Sequence, residues 1–214
     1  MLSVLDLFRI GIGPSSSHTV GPLRIAGRFV SSLRREKHFA KVARIAVHLR
    51  GSLAFTGVGH GTPDAVLMGL MGLYPATLDI GPTKKDVAAI KAEKRIHLNK
   101  QKWIKFDPDS DVIFDYEIAP ELHPNEISMC AYDQAGSLLR QQTYYSTGGG
   151  FIASREQLKK PLANDIVKTG SKVPFPFTSA ATLLDYCAQE DMACLLYTSP
   201  SPRDATLSRM PSSA

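Results

Sequence analysis

The sequence has no long apolar run and no feature of a secretory leader. Its 214 residues contain no stretch of about 20 consecutive apolar side chains, so we expect no membrane-spanning helix. The opening segment mixes Asp6 and Arg9 with apolar residues, and it lacks the basic start, apolar centre and small-residue cleavage site of a signal peptide. These absences predict a cytoplasmic chain without a membrane partner.

Cysteine is scarce, and the chain contains only Cys130, Cys187 and Cys194. An odd number of cysteines without C-x-x-C spacing argues against a disulfide scaffold. Three thiols at these separations also cannot supply the roughly four thiolates that an iron–sulfur cluster needs. We therefore expect no metal ligands in this chain. Cys130 lies in an alternating stretch and is expected to be a buried apolar side chain.

The charge balance is only mildly basic, with 25 Lys and Arg against 20 Asp and Glu, a formal net charge of +5. The basic residues are scattered and recur at helical spacing among apolar positions, which is typical of solvated helix faces. No interleaved basic and aromatic pattern indicates nucleic-acid binding. We therefore expect no nucleic-acid partner.

The first half of the chain alternates between helical and extended patterns. His18 to Lys37 carries apolar side chains at helical spacing, and Ile45, Val47 and Leu49 alternate with their neighbours as in a half-buried strand. A glycine-rich turn follows, after which the pattern predicts a helix that is apolar nearly all round and therefore buried.

Three residues are expected to bound and shape that second helix. Thr62 is predicted to cap it, Pro63 to occupy its first position and Pro75 to end it. A more polar, exposed helix is predicted over Thr83 to Lys94.

The middle of the chain is extended. Period-two alternation predicts strands over residues 112–118, 127–132 and 138–145, and Asp133 to Gly136 forms the short loop of a hairpin between the last two. Gly148, Gly149 and Gly150 then interrupt the last strand. The element order indicates an α+β or mixed α/β domain.

The C-terminal quarter has a different character. Residues 156–177 are polar and proline-bearing, as in a linker, and Ser179 to Gln189 is predicted to form one more short helix. Residues 194–214 have no periodicity and no apolar face, so we expect them to be disordered. They also resemble translated adapter sequence, which indicates a non-native tail.

The first candidate site is the run Ser15, Ser16, Ser17, His18 and Thr19 at the start of the first predicted helix. Helix N-termini present unpaired backbone N–H groups and a partial positive charge. Serine hydroxyls and an imidazole beside them give a donor-rich cradle for a small anion such as a carboxylate. An ordinary capped helix start explains the same residues, and spacing alone does not decide between the two.

Two further histidines lie in predicted loops. His60 stands between glycines that allow close approach of the backbone to a ligand, and His123 lies in a turn between two strands. With His18 they could converge as a general base and substrate-orienting groups, whereas each taken singly is equally compatible with an ordinary surface residue.

The chain resembles the iron–sulfur L-serine dehydratases through landmarks that occur in order over residues 1 to about 190. The similar segments are Phe8–Pro22, Gly51–Gly57, Gly59–Thr62, Tyr74–Thr77, Leu122–Asn125, Tyr144–Ile152 and Pro174–Phe177.

The resemblance implies a [4Fe–4S] enzyme that converts L-serine to pyruvate and ammonia, in amino-acid catabolism and gluconeogenesis. It implies a serine dehydratase β domain at residues 1–155, with a fold similar to the allosteric substrate-binding domain of phosphoglycerate dehydrogenase. Residues 178–193 would begin an α domain that bears the cluster ligands and is truncated here. The expected partners are L-serine, that α domain and a second copy of the complete enzyme, and this chain alone is expected to be inactive.

The resemblance also implies roles for individual residues. His123 and His60 are the candidates for the base that removes the substrate α-proton, with His123 as the first choice. Ser15, Ser16, Ser17, His18 and Thr19 would line the substrate side.

Two other interpretations remain open from the sequence. One is a serine-binding regulatory module without catalysis, which needs partners for a carboxylate and an amine but no base. The other is the β chain of a two-chain dehydratase.

Overall fold

The computed structural model describes residues 12–159 and 179–191. Residues 12–159 lie in a compact unit that spans residues 10–161, and residues 179–191 lie in a second unit. The helices of the first unit are α1 (Gly21–Arg35), α2 (Ser52–Thr56), α3 (Thr62–Leu70), α4 (Ile80–Glu93), α5 (Pro108–Asp111) and α6 (Arg155–Lys159). Its strands are β1 (Arg44–Gly51), β2 (Arg95–Leu98), β3 (Lys102–Lys105), β4 (Val112–Asp115), β5 (Asn125–Tyr132), β6 (Leu138–Gly148) and β7 (Phe151–Ser154).

The first unit is built on a five-stranded sheet with the order β4-β1-β5-β6-β7. Strands β1 and β4 are parallel, and the other neighbours in this sheet are antiparallel. Strands β2 and β3 form a separate antiparallel hairpin. A mixed sheet with intervening helices confirms the predicted mixed α/β class.

One face of the sheet carries the apolar core. Ile45, Val47 and Leu49 point to this face of β1 and are fully buried, as their alternation predicts. Helices α1, α3 and α4 pack against them through apolar side chains in one continuous cluster. The predicted burial of α3 is confirmed, since most of its residues are inaccessible.

The other face of β1 carries an ion-pair network. The Arg50 guanidinium lies 3.0 Å from the Asp115 carboxylate on β4 and 2.8 Å from the Glu126 carboxylate on β5. His48 Nδ1 lies 3.1 Å from the same Asp115 carboxylate. These side chains tie β1 to its two neighbours, β4 and β5, on the face that lacks the apolar core.

Several predicted boundaries are correct. The first helix and β1 lie where the patterns place them, and β5 and β6 form the predicted hairpin around Asp133 to Gly136. Strand β6 ends at Gly148, the first residue of the glycine run, and all three glycines of that run have positive φ.

Other predictions about the ends of elements are wrong. Gly61, at φ +67°, is the N-cap of α3, and Thr62 is the first residue of the helix. The Thr62 hydroxyl does not cap the helix, because it donates to the His18 carbonyl. Helix α3 ends at Leu70, and Gly72 at φ +79° turns the chain before Pro75 is reached. Strand β4 stops at Asp115, short of residue 118.

The second unit contains helix α7 (Ala180–Gln189). The Ser179 hydroxyl caps it by accepting a hydrogen bond from the Thr182 N–H at 3.2 Å. This helix confirms the prediction over Ser179 to Gln189. The expected linker falls largely outside the described residues, as does the expected tail over residues 194–214. Among the residues that are described, no helix is both long and apolar enough to cross a membrane.

Candidate active site

The imidazole rings of His18 and His60 lie side by side, although 41 residues separate them in the chain. Their centroids are 4.8 Å apart and the ring planes are inclined by 42°. His18 lies in a short π-helical turn, Ser16–Val20, that runs directly into α1. His60 lies in the loop between α2 and α3. The fold therefore brings together two of the three histidines that the sequence singles out.

The serine run builds the turn that presents His18. The Ser15 hydroxyl accepts a hydrogen bond from the His18 N–H at 3.1 Å, which caps the turn. The Ser17 hydroxyl lies 2.8 Å from His18 Nδ1 and 3.3 Å from the Ser15 hydroxyl. Ser16 is exposed, whereas Ser15 and Ser17 are half-buried.

Both ring nitrogens of His18 have serine partners. Nδ1 faces Ser17, and Nε2 lies 3.0 Å from the hydroxyl of Ser52, the first residue of α2. Burial lowers the pKa of His18, and the charge of the neighbouring His60 lowers it further. The neutral ring then donates to one serine and accepts from the other.

Two threonines link the His18 and His60 segments. The Thr19 hydroxyl donates to the His60 carbonyl at 2.8 Å, and the Thr62 hydroxyl donates to the His18 carbonyl at 2.5 Å. Both threonines are buried. Each histidine backbone is thus held by a side chain from the other segment.

The hydrogen-bond partners of His60 determine which of its nitrogens carries the hydrogen. Nδ1 lies 2.9 Å from the Thr56 carbonyl oxygen, which can only accept. Nδ1 therefore carries the hydrogen, and Nε2 of the neutral ring keeps its lone pair. His60 is half-buried, so its ring is partly accessible to solvent.

His123 has the opposite arrangement. Its Nδ1 accepts a hydrogen bond from the Asn125 N–H at 3.1 Å, so Nε2 of the neutral ring carries the hydrogen. Burial lowers the pKa of His123, which favours this neutral form near pH 7.

The loop that carries His123 is joined to the His18 segment at two points. The Ser52 N–H donates to the Pro124 carbonyl at 2.9 Å, and the Ser52 hydroxyl contacts His18. The Asn125 amide donates to the Ser146 carbonyl at 3.0 Å, and the Ser146 hydroxyl donates to the Ser17 carbonyl at 2.7 Å.

A family model of the serine dehydratase beta chain matches residues 3–157. This chain belongs to that family. L-serine dehydratase of Streptomyces coelicolor is 43% identical over 183 residues, which cover 86% of this chain and 40% of the relative. L-serine dehydratase of Haemophilus influenzae is 37% identical over 193 residues, covering 90% and 41%. L-serine dehydratase 1 of Escherichia coli is 39% identical over 188 residues, covering 87% and 40%.

The family resemblance predicted from the sequence is thereby confirmed. The chain spans about 40% of the length of these curated serine dehydratases.

The described part of this serine dehydratase chain does not assemble a metal centre. Residues 12–159 and 179–191 contain no group of three or more His, Cys, Asp or Glu side chains that could hold a metal ion. Cys130 is buried in β5 as predicted, and burial raises the pKa of its thiol. Cys187 lies in the second unit, and Cys194 lies outside the described residues. These residues do not fit an iron–sulfur cluster.

The sequence pattern singles out the histidines but not the side chains that hold them. Ser52, Ser146 and Asn125 connect the three segments, and Thr62 was predicted as a helix cap instead. Ser52 had one usable signal, since it is a polar residue directly after a strand that reads as half-buried. The other partners act through contacts with backbone carbonyls far away in the sequence, which leave no local pattern.

Proposed function

We propose that this chain is the substrate-binding β portion of an L-serine dehydratase, which converts L-serine to pyruvate and ammonia. The observation that carries the proposal is the pairing of His18 and His60 at 4.8 Å in a chain of the serine dehydratase beta family. Elimination of water from L-serine requires removal of the α-proton, and a neutral imidazole with a free lone pair is suited to that step.

His60 is the base in this proposal. Its Nδ1 is engaged as a donor to Thr56, so Nε2 can accept a proton without breaking an existing hydrogen bond. His123, the first choice implied by the family resemblance, holds its hydrogen on Nε2, and its Nδ1 lone pair is occupied by the Asn125 N–H. His123 could accept a proton only after this contact breaks. The hydrogen-bond pattern therefore supports exchanging the two roles.

His123 then serves as a hydrogen-bond donor. Its Nε2–H suits it to contact a carboxylate or hydroxyl oxygen of the substrate. The lowered pKa of this ring keeps it neutral near pH 7, so it donates without carrying a charge.

The serine run forms the carboxylate-binding side. Ser16 is exposed at the start of the turn, and a helix start is a favourable place for an anion. Ser15, Ser17 and His18 would support it through their shared hydrogen bonds. Thr19, also expected on the substrate side, is buried with its hydroxyl on the His60 carbonyl.

The remaining expectations from the resemblance belong to the same proposal. The complete enzyme would hold a [4Fe–4S] cluster through ligands in the part of the relatives' length that this chain does not span, and this chain alone would be inactive. The complete enzyme would form a homodimer in the cytoplasm. The β domain would share its fold with the allosteric substrate-binding domain of phosphoglycerate dehydrogenase.

A chimeric enzyme tests the proposal. The region of E. coli L-serine dehydratase 1 that corresponds to residues 3–157 is replaced by these residues of this chain, and pyruvate formation from L-serine is measured without oxygen. The proposal predicts L-serine-dependent pyruvate that is lost in the His60→Gln chimera. A folded chimera that binds L-serine but forms no pyruvate would contradict it and would favour the serine-binding regulatory module.

A further inference from the structure

Two buried threonines cross between the segments that carry the histidine pair. Thr19 follows His18 directly, and Thr62 lies two residues after His60. Each hydroxyl reaches the backbone carbonyl of the histidine in the opposite segment, at 2.8 Å and 2.5 Å. We call these two reciprocal hydrogen bonds the threonine clasp.

We propose that Thr19 and Thr62 are positioning residues, which hold the His60 imidazole against that of His18 and do not themselves contact the substrate. The proposal deepens the proposed function, since it rests on His60 as the base. It also departs from the expectation that Thr19 lines the substrate side.

The burial of both threonines supports a positioning role. Thr19 is 5% exposed and Thr62 is 0% exposed. Each hydroxyl has a single hydrogen to donate, and in each case that hydrogen is committed to a carbonyl. A substrate would have to displace this bond and enter a closed space to reach either hydroxyl.

The reciprocity of the clasp explains why it fixes the ring geometry. Two hydrogen bonds at different points restrain both the separation and the relative orientation of the His18 and His60 segments, whereas one bond alone restrains mainly their separation. The loop itself needs this restraint, because it contains Gly59 and Gly61, which restrict the backbone little. The clasp therefore holds the glycine-containing loop in register with the turn before α1.

The space around the clasp is closed on the loop side as well. A Cβ atom at Gly57 would lie 2.2 Å from the Leu53 carbonyl oxygen and 3.0 Å from the Thr62 hydroxyl. The loop backbone at Gly57 thus packs closely against the Thr62 side chain, which leaves no room for a ligand between them.

The electrostatic contact between the two rings provides a readout of their geometry. Within residues 12–159, the charge that acts on the His18 ring is that of His60, and it lowers the His18 pKa. Replacing His60 by glutamine removes this charge and should raise the His18 pKa. The size of that rise reports how closely the two rings are held, because the interaction weakens with distance.

The experiment measures this rise in the full chain by NMR titration of the His18 ring, with and without His60→Gln. In the Thr62→Val background we expect His60→Gln to raise the His18 pKa by about half as much or less, because loss of the clasp lets the two rings move apart. Thr62→Ser keeps the hydroxyl and should retain the full rise. An unchanged rise in Thr62→Val would overturn the proposal.

Thr19→Val tests the other half of the clasp and keeps the test decisive if Thr62→Val does not fold. We expect the same loss of coupling, with Thr19→Ser as its control. If His60→Gln still raises the His18 pKa by the full amount in the Thr19→Val background, Thr19 does not help to hold the two rings together.

Kinetics of the chimeric enzyme separate this proposal from the assignment of the base. Thr62→Val should lower kcat by about 10–100-fold with little change in KM, because the base is misplaced and not removed. A raised KM with unchanged kcat would indicate substrate contact and would overturn the positioning role. Full turnover in His60→Gln would instead refute His60 as the base, and the NMR coupling would still report on the clasp.

Discussion

His60 and His123 carry their ring hydrogens on different nitrogens, and this difference decides which of them can act as a base. In the chimeric enzyme, His60→Gln should lower kcat by about 10²–10⁴-fold, the usual contribution of a general base. His123→Gln should mainly raise KM, because it removes a hydrogen-bond donor to the substrate. The measurement is steady-state kinetics on both variants.

The matched glutamine variants make the comparison decisive. Glutamine retains a side-chain hydrogen-bonding group at each position, so both variants should fold. Near-normal kcat in His60→Gln, with loss of turnover in His123→Gln, would return the role of the base to His123.

The half-buried histidines His18 and His123 make the stability of the domain depend on pH. His18 and His123 have pKa values lowered by burial, so the unfolded chain binds protons more tightly at both positions. Stability is therefore retained above the ordinary pKa of about 6.5 and lost as the pH falls from there through the folded-state values.

Urea unfolding at about pH 7.5 and pH 5 measures this dependence. The variant His18→Gln, which cannot titrate, should show a smaller loss of stability at the lower pH. An equal loss in this variant would mean that His18 does not contribute to the pH dependence.

For single residues, the sequence predicted which side chains are chemically reactive but not which groups they contact. His18, His60 and the serine run could be named because an imidazole or a hydroxyl in a glycine-rich loop is a reactive group in an accessible place. The ring tautomers depend on the Thr56 carbonyl and the Asn125 N–H. No local sequence pattern predicts which backbone group a loop histidine will meet.

Helices α1 and α3 cross closely at Gly69. A Cβ atom there would lie 2.2 Å from the Leu23 carbonyl oxygen and 2.7 Å from the Ala26 Cβ. Gly69→Ala should therefore destabilise the domain by about 1–3 kcal/mol through overpacking. The measurement is the free energy of unfolding in urea.

Gly27→Ala is the matched control on the facing helix. Its added Cβ would lie 3.7 Å from the Gly69 carbonyl oxygen, an ordinary contact, and alanine favours helix by about 0.5–1 kcal/mol. We expect Gly27→Ala to be neutral or stabilising. Equal destabilisation by both variants would show that loss of glycine, and not the close crossing, is responsible.

The ion-pair network joins β1 to β4 and β5 through Arg50. Its guanidinium pairs with Asp115 and with Glu126, whose side chain is 5% exposed. Arg50→Met should cost about 3 kcal/mol, because it leaves the buried Glu126 carboxylate without its cationic partner. Lys91→Met, which breaks the exposed pair with Asp64, should cost at most about 1 kcal/mol. If urea unfolding shows similar losses of stability for Arg50→Met and Lys91→Met, burial does not determine the contribution of these ion pairs.

The sequence predicted the elements with strong periodicity and missed those without it. Helix α1 and strand β1 have clear apolar patterns, and the β5–β6 hairpin has a glycine-containing turn. The hairpin of β2 and β3 was not predicted. Its turn uses Asn99 and Lys100 at positive φ, and lysine gives no turn signal there.

The compact unit over residues 10–161 nearly coincides with the region that matches the serine dehydratase beta-chain family, residues 3–157. The long-range pairing of β1 with β5 and β4 could not be read from the sequence, because strand order depends on contacts between distant segments. It is this pairing that brings the His123 loop to Ser52, at the end of β1. The candidate site therefore exists only at the level of the assembled sheet.

An NMR titration of this chain with L-serine tests whether the histidine and serine cluster is the L-serine site. We expect saturable shifts at Ser16, His18, Ser52 and His60, and weaker or absent shifts with D-serine. The variant Ser16→Ala should weaken binding, since it removes a donor to the carboxylate. An absence of saturable shifts at these residues, or shifts confined to the β2–β3 hairpin, would contradict the assignment of this cluster as the L-serine site.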